Sequence, residues 1–416
     1  MFRGFFTALL LLVTTNVGAQ YAVSHSPAIY SPYITVNEEP DAPPVIVLGG
    51  DDVLHFSFDE MSHAYKRYLC RVTHFNADYS QSELSEIEYL EGFNDFPVEQ
   101  WENSVNTTKL YTHYEFDVPN ENISLKVSGN YRVEVYDDEA YEDSPVVSFD
   151  FAVVEPMVSV NAWVSGDTDR SLNTTEQQLS FVVNASRCNV ASPANEILPV
   201  VMQNRRRTSA VRGLCPTYIM GDELQYVHNE KLIFPSGNEY RRFELTDPRI
   251  PGMGVEEVFY TPEGYHALLF IDKPRLSHSN YRDENGRYYI NTLEGRGSLI
   301  EADYVYAHFA LSVPYRKGGN YCLQGDFCNS LSSDNILEYD SEGGFYFVSK
   351  LLKLGLYNYN YVWVPENNAM LQPGGVEGDF YDTENEYIIY IYHRAFGARY
   401  DRLVGVHAVT YRLENN

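Results

Sequence analysis

The chain has 416 residues and carries 58 acidic against 30 basic side chains, a formal net charge of −28. Nucleic acids and anionic bilayers attract proteins through cations that displace counterions, so neither a nucleic acid nor a lipid surface is expected as a partner. Five cysteines in a chain of this length are too few for a disulfide scaffold, and the length suits two to four domains.

The first residues read as an export signal: a basic start at Met1-Phe2-Arg3, an apolar run from Phe5 to Val13 and a small-residue exit at Ala19. The run is too short to cross a bilayer as a helix, and cleavage after Ala19 is expected. Residues 20–44, with "NEEPDAPP", read as an extended arm. "VLHFSFDE" and "YLCRVTHFN" then alternate apolar and polar positions, the period of a half-buried strand. "SELSEIEYLEGF" sets Leu84, Ile87 and Leu90 at helical spacing and predicts a short acidic helix. Its acids Glu83, Glu86, Glu88 and Glu91 read as a solvated face rather than a catalytic carboxylate pair. "GNYRVEVYDDE" puts Tyr131, Val133 and Val135 on one face and Arg132, Glu134 and Tyr136 on the other. "SPVVSFDFAVVEP" does the same with Val147, Phe149 and Phe151 against Ser148, Asp150 and Ala152, and Pro156 ends this strand set.

Further along, Arg205, Arg206 and Arg207 form the one basic cluster. Pairing with the protein's own surplus carboxylates is favoured there over an acidic partner, because it requires no second molecule. In "FPSGNEYRRF", Gly237 and Asn238 form a turn beside the ionic residues Glu239, Arg241 and Arg242. "NTLEGRGSLIEADY" is a Gly-broken acidic connector. These marks divide the chain into an N-terminal β-sandwich domain with its arm (20–155), a middle β-rich domain (156–298) and a C-terminal β-sandwich (299–416). The expected fold class is all-β: tandem immunoglobulin-like or E-set β-sandwich domains with minor helix. Cys322 and Cys328 in "CLQGDFC" could close a small disulfide loop or stay reduced and buried.

Near the end, "EYIIYIYH" carries Ile and Tyr on both faces, which places the strand inside a sandwich or against another domain. "HRAFGARYDRLVGV" follows, and it has two readings. In one, Gly397 turns the chain, Asp401 pairs with Arg399 or Arg402, and the stretch is architectural. In the other, Arg394, Phe396, Arg399, Tyr400 and Arg402 meet a partner.

The search for chemistry finds no G-x-S-x-G elbow, no H-E-x-x-H and no Gly-rich phosphate loop followed by Lys. "SGDTDRSLN" lacks the central Gly and terminal Glu of a calcium loop. No catalytic residue, metal ligand or cofactor site is expected.

Two resemblances add to this. Gly325, Asp326, Phe327 and Asn329, followed by Leu352, Gly355, Tyr357 and Tyr359, resemble the turn and strand of starch-binding-like modules, though the sugar-stacking Trp of those modules is replaced by Asn329-Ser330-Leu331. That likeness implies a secreted glycan-binding protein as the alternative function. More extensively, "HFNADYSQSELSEIEYLEGFND", "SGNYRVEVYDDE", "VVEP", "FPSGNEYRRFEL", "DKPR", "IEADYVYAHFAL" and "GDFYDTENEYIIYIYHRAFGARYDRLVGV", in that order, are similar to the type IX secretion system plug proteins of Bacteroidetes-type bacteria. Tyr79 stands where that family usually has Trp. The resemblance implies a non-enzymatic periplasmic protein, monomeric when free and not inserted in the membrane. It would dock on the periplasmic end of the outer-membrane β-barrel translocon and seal it while no cargo passes.

Overall fold

Alternation along the chain becomes strand pairing in the computed structural model, which describes residues 21–140, 144–188, 190–293, 299–328, 333–366, the backbone of 372–373, and 375–412. The expected signal segment lies outside the described residues. Strand Gly129–Asp137 buries Tyr131, Val133 and Val135 and leaves Arg132, Glu134 and Tyr136 half-buried, as period two requires. It pairs antiparallel with Val147–Val154 on one side and Tyr68–Phe75 on the other. Ala22–Ser24 and Phe96–Pro97 extend the sheet, and Val45–Val47 joins it in parallel. The facing sheet runs Ile29–Val36, Leu54–Glu60, Thr112–Val118, Gln100–Asn103. Phe56, Phe116 and Phe149 meet between the two sheets with ring centroids 4.9–6.0 Å apart. Only glycine fits at Gly129, where φ is +145° and a Cβ would lie 2.3 Å from the His74 ring.

Two expectations change here. Two parts of the arm pair as strands, Ala22–Ser24 and Ile29–Val36; the second is an edge strand whose Pro32 sits in a bulge between Tyr30 and Tyr33, where a missing N–H is tolerated. The acidic helix shrinks to Glu86–Tyr89, held by a Ser85/Glu88 capping box. Tyr89 and Leu90 are buried, and Ile87 points to solvent.

The second sandwich packs Ser159–Ser165, Glu176–Asn184, Glu223–Tyr226, Tyr218–Met220 and Ile233–Pro235 against a three-stranded sheet. That sheet is Ile197–Gln203, Asn385–His393 and Arg402–Tyr411. The third sandwich lies between them in sequence. One of its sheets centres on the long strand Gly355–Pro365, paired with Arg241–Leu245, Tyr288–Ile290 and Gly319–Gln324. The other runs Val255–Thr261, Gly264–Leu269, Tyr304–Leu311, Phe345–Lys353, Glu338–Asp340. The hydrophobic cores therefore do not follow a division at residue 298. Tyr288–Ile290 shares a core with Gly355–Pro365, whereas Asn385–His393 completes the second sandwich. Such pairing joins residues about 190 positions apart, which no local pattern encodes.

Asn385–His393 is apolar on both faces for a visible reason. Tyr387, Ile389 and Ile391 enter the second core, while Ile388, Tyr390 and Tyr392 pack against Ala152 and Val154 of the first sandwich. Val147–Val154 is buried on both faces, its outer face covered by this contact at Ala152 and Val154, by His25 at Ser148 and by Arg132 and Arg207 at Asp150.

The first and third sandwiches meet through polar groups. Asp59 is fully buried and accepts from Lys353 (2.6 Å), from the Tyr304 hydroxyl (2.5 Å) and from His113 (2.5 Å). Burial pushes its carboxyl up, but Lys353 and His113 more than offset this and hold it below the usual carboxylate range. Asp303 accepts from the backbone N–H groups of Thr108 (2.8 Å) and Lys109 (3.1 Å), and Tyr111 donates to the carbonyls of Leu299 and Ala302 at 2.8 Å.

The chain crosses between the second and third sandwiches twice, at 236–241 and 377–385. Gly237 N–H donates to Asp379 (2.9 Å), and the Asn238 amide donates to the Glu377 carbonyl (2.9 Å). Glu239 Oε1 accepts from Glu384 N–H (2.8 Å) and faces His278 Nε2 at 3.1 Å. The other Glu239 oxygen is buried without a donor, next to the carboxylate of Asp283. Burial raises both acids to about 7; the Glu239 charge pushes Asp283 up further and the Glu384 charge does the same to Glu239, while a hydrogen bond with Asp283 pulls Glu239 back in part. Arg241 ties the same place to Asp272 (2.7 Å) and Glu377 (3.1 Å).

Two outcomes are expected. Lys353→Met strands the Asp59 charge in the seam and should cost about 3 kcal/mol in urea unfolding, with roughly half restored by adding Asp59→Asn; equal stability of Lys353→Met and the native chain would deny the seam its role. For Glu239 and Asp283, the folded chain keeps protons up to about 7 that unfolded carboxyls release near pH 4. The folded state thus binds more protons in that window, and stability falls as pH rises through it, by on the order of 2 kcal/mol. Glu239→Gln should flatten this fall in thermal midpoints between pH 5 and 8. An unchanged slope would refute the raised carboxyls of Glu239 and Asp283.

Candidate functional site

Strand Ile197–Gln203 ends in a turn where Asn204 and Arg205 take left-handed backbone angles, which aims three successive arginines apart. Arg205 pairs with Glu386 (2.8 Å) and donates to the Asp41 carbonyl. Arg206 donates to Gln324 (3.0 Å) of the third sandwich. Arg207 enters the first sandwich, where it binds Asp150, donates to the Tyr79 hydroxyl (2.5 Å) and stacks on the Tyr79 ring at 3.9 Å. Asp150 also takes a two-pronged contact from Arg132 (2.7 and 2.9 Å). Burial alone would push the Asp150 carboxyl up, yet the two guanidinium groups hold it below its ordinary value. The basic cluster thus meets the protein's own acceptors.

The hairpin tip at 394–401 sits against the first sandwich. Asp401 accepts from Arg394 (3.1 Å) and from Ala77 N–H (3.0 Å), and its own N–H donates to Asn76 (3.2 Å). Its partner is therefore Arg394, neither Arg399 nor Arg402. Arg399 instead binds Glu88, Arg402 binds Glu155, and the Tyr400 ring meets His74 edge-on at 5.4 Å. Hydrogen bonding from Arg399 and Ser85 lowers Glu88 to about 2. Gly397, at φ +80°, turns the tip, and Phe396 stands at its apex in solvent. The arginines and Asp401 of this stretch are spent on bracing, and Phe396 is left without a contact of that kind. Gly237, Asn238, Glu239 and Arg241 fasten the two chain crossings described above.

Other expectations fall out as follows. All five cysteines are free; of the two readings of Cys322 and Cys328 the reduced one is found, as buried thiols raised by burial to about 11 and about 12. Asn329 lies outside the described residues. Tyr357 and Tyr359 are core residues, donating to the Lys353 carbonyl (2.5 Å) and to Asp272 (2.9 Å), so neither offers a face to a sugar. A groove of about 580 Å³ opens between residues 22–32 and Ser349–Leu352. Two of the polar groups lining it are already engaged, His25 with Ser148 (2.8 Å) and Lys350 with Asn335 (2.8 Å). Among the described residues no group of three or more His, Cys, Asp or Glu side chains is placed to hold a metal ion, and no helix is long and apolar enough to cross a membrane.

What sequence reasoning missed is the Asp59, His113, Lys353, Tyr304 cluster, whose members lie in four separate strands. Its one local trace is Asp59-Glu60, a pair of acids at the end of an apolar-alternating strand, both buried.

Comparison with known proteins agrees with this architecture. A crystal structure at 2.30 Å of a hypothetical protein from Parabacteroides merdae ATCC 43184 is 37% identical, with a TM-score of 0.91 over 94% of this chain and 99% of that one. No curated protein matches. Residues 29–155, the first sandwich, match the family described as type 9 secretion system plug protein 1st domain. The chain belongs to the type IX secretion plug family and serves type IX secretion.

Proposed function

We propose that this protein is a non-enzymatic periplasmic plug, which seats on the periplasmic end of the type IX outer-membrane β-barrel and closes its pore while no substrate passes. The observation that carries the reading is the plug-domain match over 29–155, in a chain whose sandwiches are cross-tied by buried ion pairs. A body that blocks a pore has to keep its outline under load. Directional buried bonds resist sliding between layers in a way that apolar contact alone does not.

The plug also has to leave. Exposed tyrosines such as Tyr65, Tyr218, Tyr260 and Tyr315, with hydroxyls that return to water, and a net charge of −28 suit an interface that separates cleanly. Acidity of that size also discourages loose adsorption to anionic lipid, so orientation is left to specific protein contacts.

The test is a pull-down of the tagged chain from the envelope of the bacterium that makes it. A very large outer-membrane barrel identified by mass is the expected partner, and deletion of the gene should raise the permeability of the outer membrane to large solutes when the translocon is idle. Recovery of soluble partners alone, with an unchanged barrier after deletion, would refute the plug reading.

A further inference from the structure

Four large apolar side chains stand out from the surface above all others described: Phe396 at 103% exposure, Leu276 at 93%, Phe93 at 87% and Ile87 at 79%. Three of these four sit on adjoining loops. The Arg399–Glu88 ion pair brings the 394–401 tip to the short helix that carries Ile87. A hydrogen bond from the Asn94 amide to Glu86 (3.1 Å) brings Phe93 to that same helix.

The loops that carry them are held firmly. Phe396 lies between Arg394, fixed on Asp401, and Arg399, fixed on Glu88, with Ala398 N–H donating to the Ala395 carbonyl (2.9 Å) across the turn. Lys126 donates to the Ile87 carbonyl (2.7 Å) from the neighbouring segment. A large side chain left in water on a pre-ordered loop loses little conformational freedom when it is covered, the condition under which a single aromatic residue dominates an interface.

The exposed charges around the three side chains are mainly acidic. Glu83, Glu86 and Glu91 are exposed, and of the exposed cations beside them Arg399 is paired with Glu88 and Lys126 is bound to the Ile87 carbonyl, while Arg394 and Arg402 point to Asp401 and Glu155. An apolar knob with an acidic collar complements an apolar pocket with a basic rim. Anionic lipid fits that collar poorly, and a second copy of this chain would set acid against acid.

We propose that Phe396, flanked by Ile87 and Phe93, is the anchor by which this chain seats in a basic-rimmed apolar pocket of its barrel partner. This rests on the plug reading and names the surface that reading leaves open. The composite nature of the knob adds a consequence: it exists only while the hairpin of the second sandwich is clamped on the first.

The experiment uses the tagged full-length chain in the bacterium that makes it. Phe396→Ser should lower the barrel recovered by about tenfold or more, while Leu276→Ser, an equally exposed apolar residue elsewhere, should leave recovery unchanged. With p-benzoylphenylalanine at position 396, irradiation should give an adduct with the barrel, identified by mass. Undiminished recovery with Phe396→Ser, or an adduct with phospholipid or with a second copy of the chain, would overturn the assignment of the anchor while the plug reading stands. A native chain that recovers no barrel overturns both.

Discussion

A guanidinium group taken out of water has to find acceptor oxygens, and the geometry of this protein turns on three consecutive residues that obey that constraint in different directions. Arg205, Arg206 and Arg207 leave one turn of the second sandwich and reach Glu386, Gln324 and Asp150. Arg207 and Asp150 are both buried, so removing Asp150 leaves the Arg207 charge uncompensated, a loss of about 3–5 kcal/mol, whereas without Arg207 the carboxylate still has Arg132. Glu386 lies on the strand beside Ile197–Gln203 and holds the turn to its own sandwich, while Gln324 and Asp150 lie in the third and first sandwiches, so the bonds of Arg206 and Arg207 form together only when the three sandwiches hold one mutual orientation. Packing of the individual cores, rich in Phe and Tyr, sets each sandwich; this turn helps fix how they stand together.

The charge imbalance follows the same logic. With nearly two acids for every base, cations are the scarce partner, and the structure places many of them at the seams: Lys353 on Asp59, Arg132 and Arg207 on Asp150, Arg241 and Arg275 on Glu377, Arg402 on Glu155. Cations concentrated at the seams leave a surface dominated by carboxylates. Solubility and selective docking both follow, since a partner without basic groups meets repulsion everywhere except at apolar points.

Much of the strand structure was legible because burial on one face writes itself as alternation, as in Gly129–Asp137. The two-faced apolarity of Asn385–His393 even announced a second contact surface. What stayed hidden was non-local. The apolar pattern of residues 385–411 says that the strands are buried but not which sandwich they complete, and Asp401 could as well have met any of three nearby arginines. Ile87 misled because helical spacing was read across a segment that holds only one helical turn before its chain becomes strand. The role of Phe396 was invisible for a related reason: an aromatic residue beside Gly and Ala reads the same whether it packs beneath the turn or stands above it. Only the capture of its flanking arginines by Asp401 and Glu88 settles which.

Those captured arginines also connect rigidity to recognition. The 394–401 tip is where the seam between the first and second sandwiches comes to the surface, and its outward shape is set by bonds that cross the seam. If the two sandwiches rotated against each other, Arg399 would leave Glu88, Asp401 would leave Ala77, and Phe396 would swing away from Ile87. A pocket shaped for the assembled knob therefore responds to the relative placement of two sandwiches and not merely to one loop. Because the Arg399–Glu88 pair is exposed, it contributes little to stability and is readily screened by salt, while the buried Asp150 pairs are not. The tip is therefore held mainly by the bonds of Asp401 to Arg394, Ala77 and Asn76, with the exposed pair adding little to them.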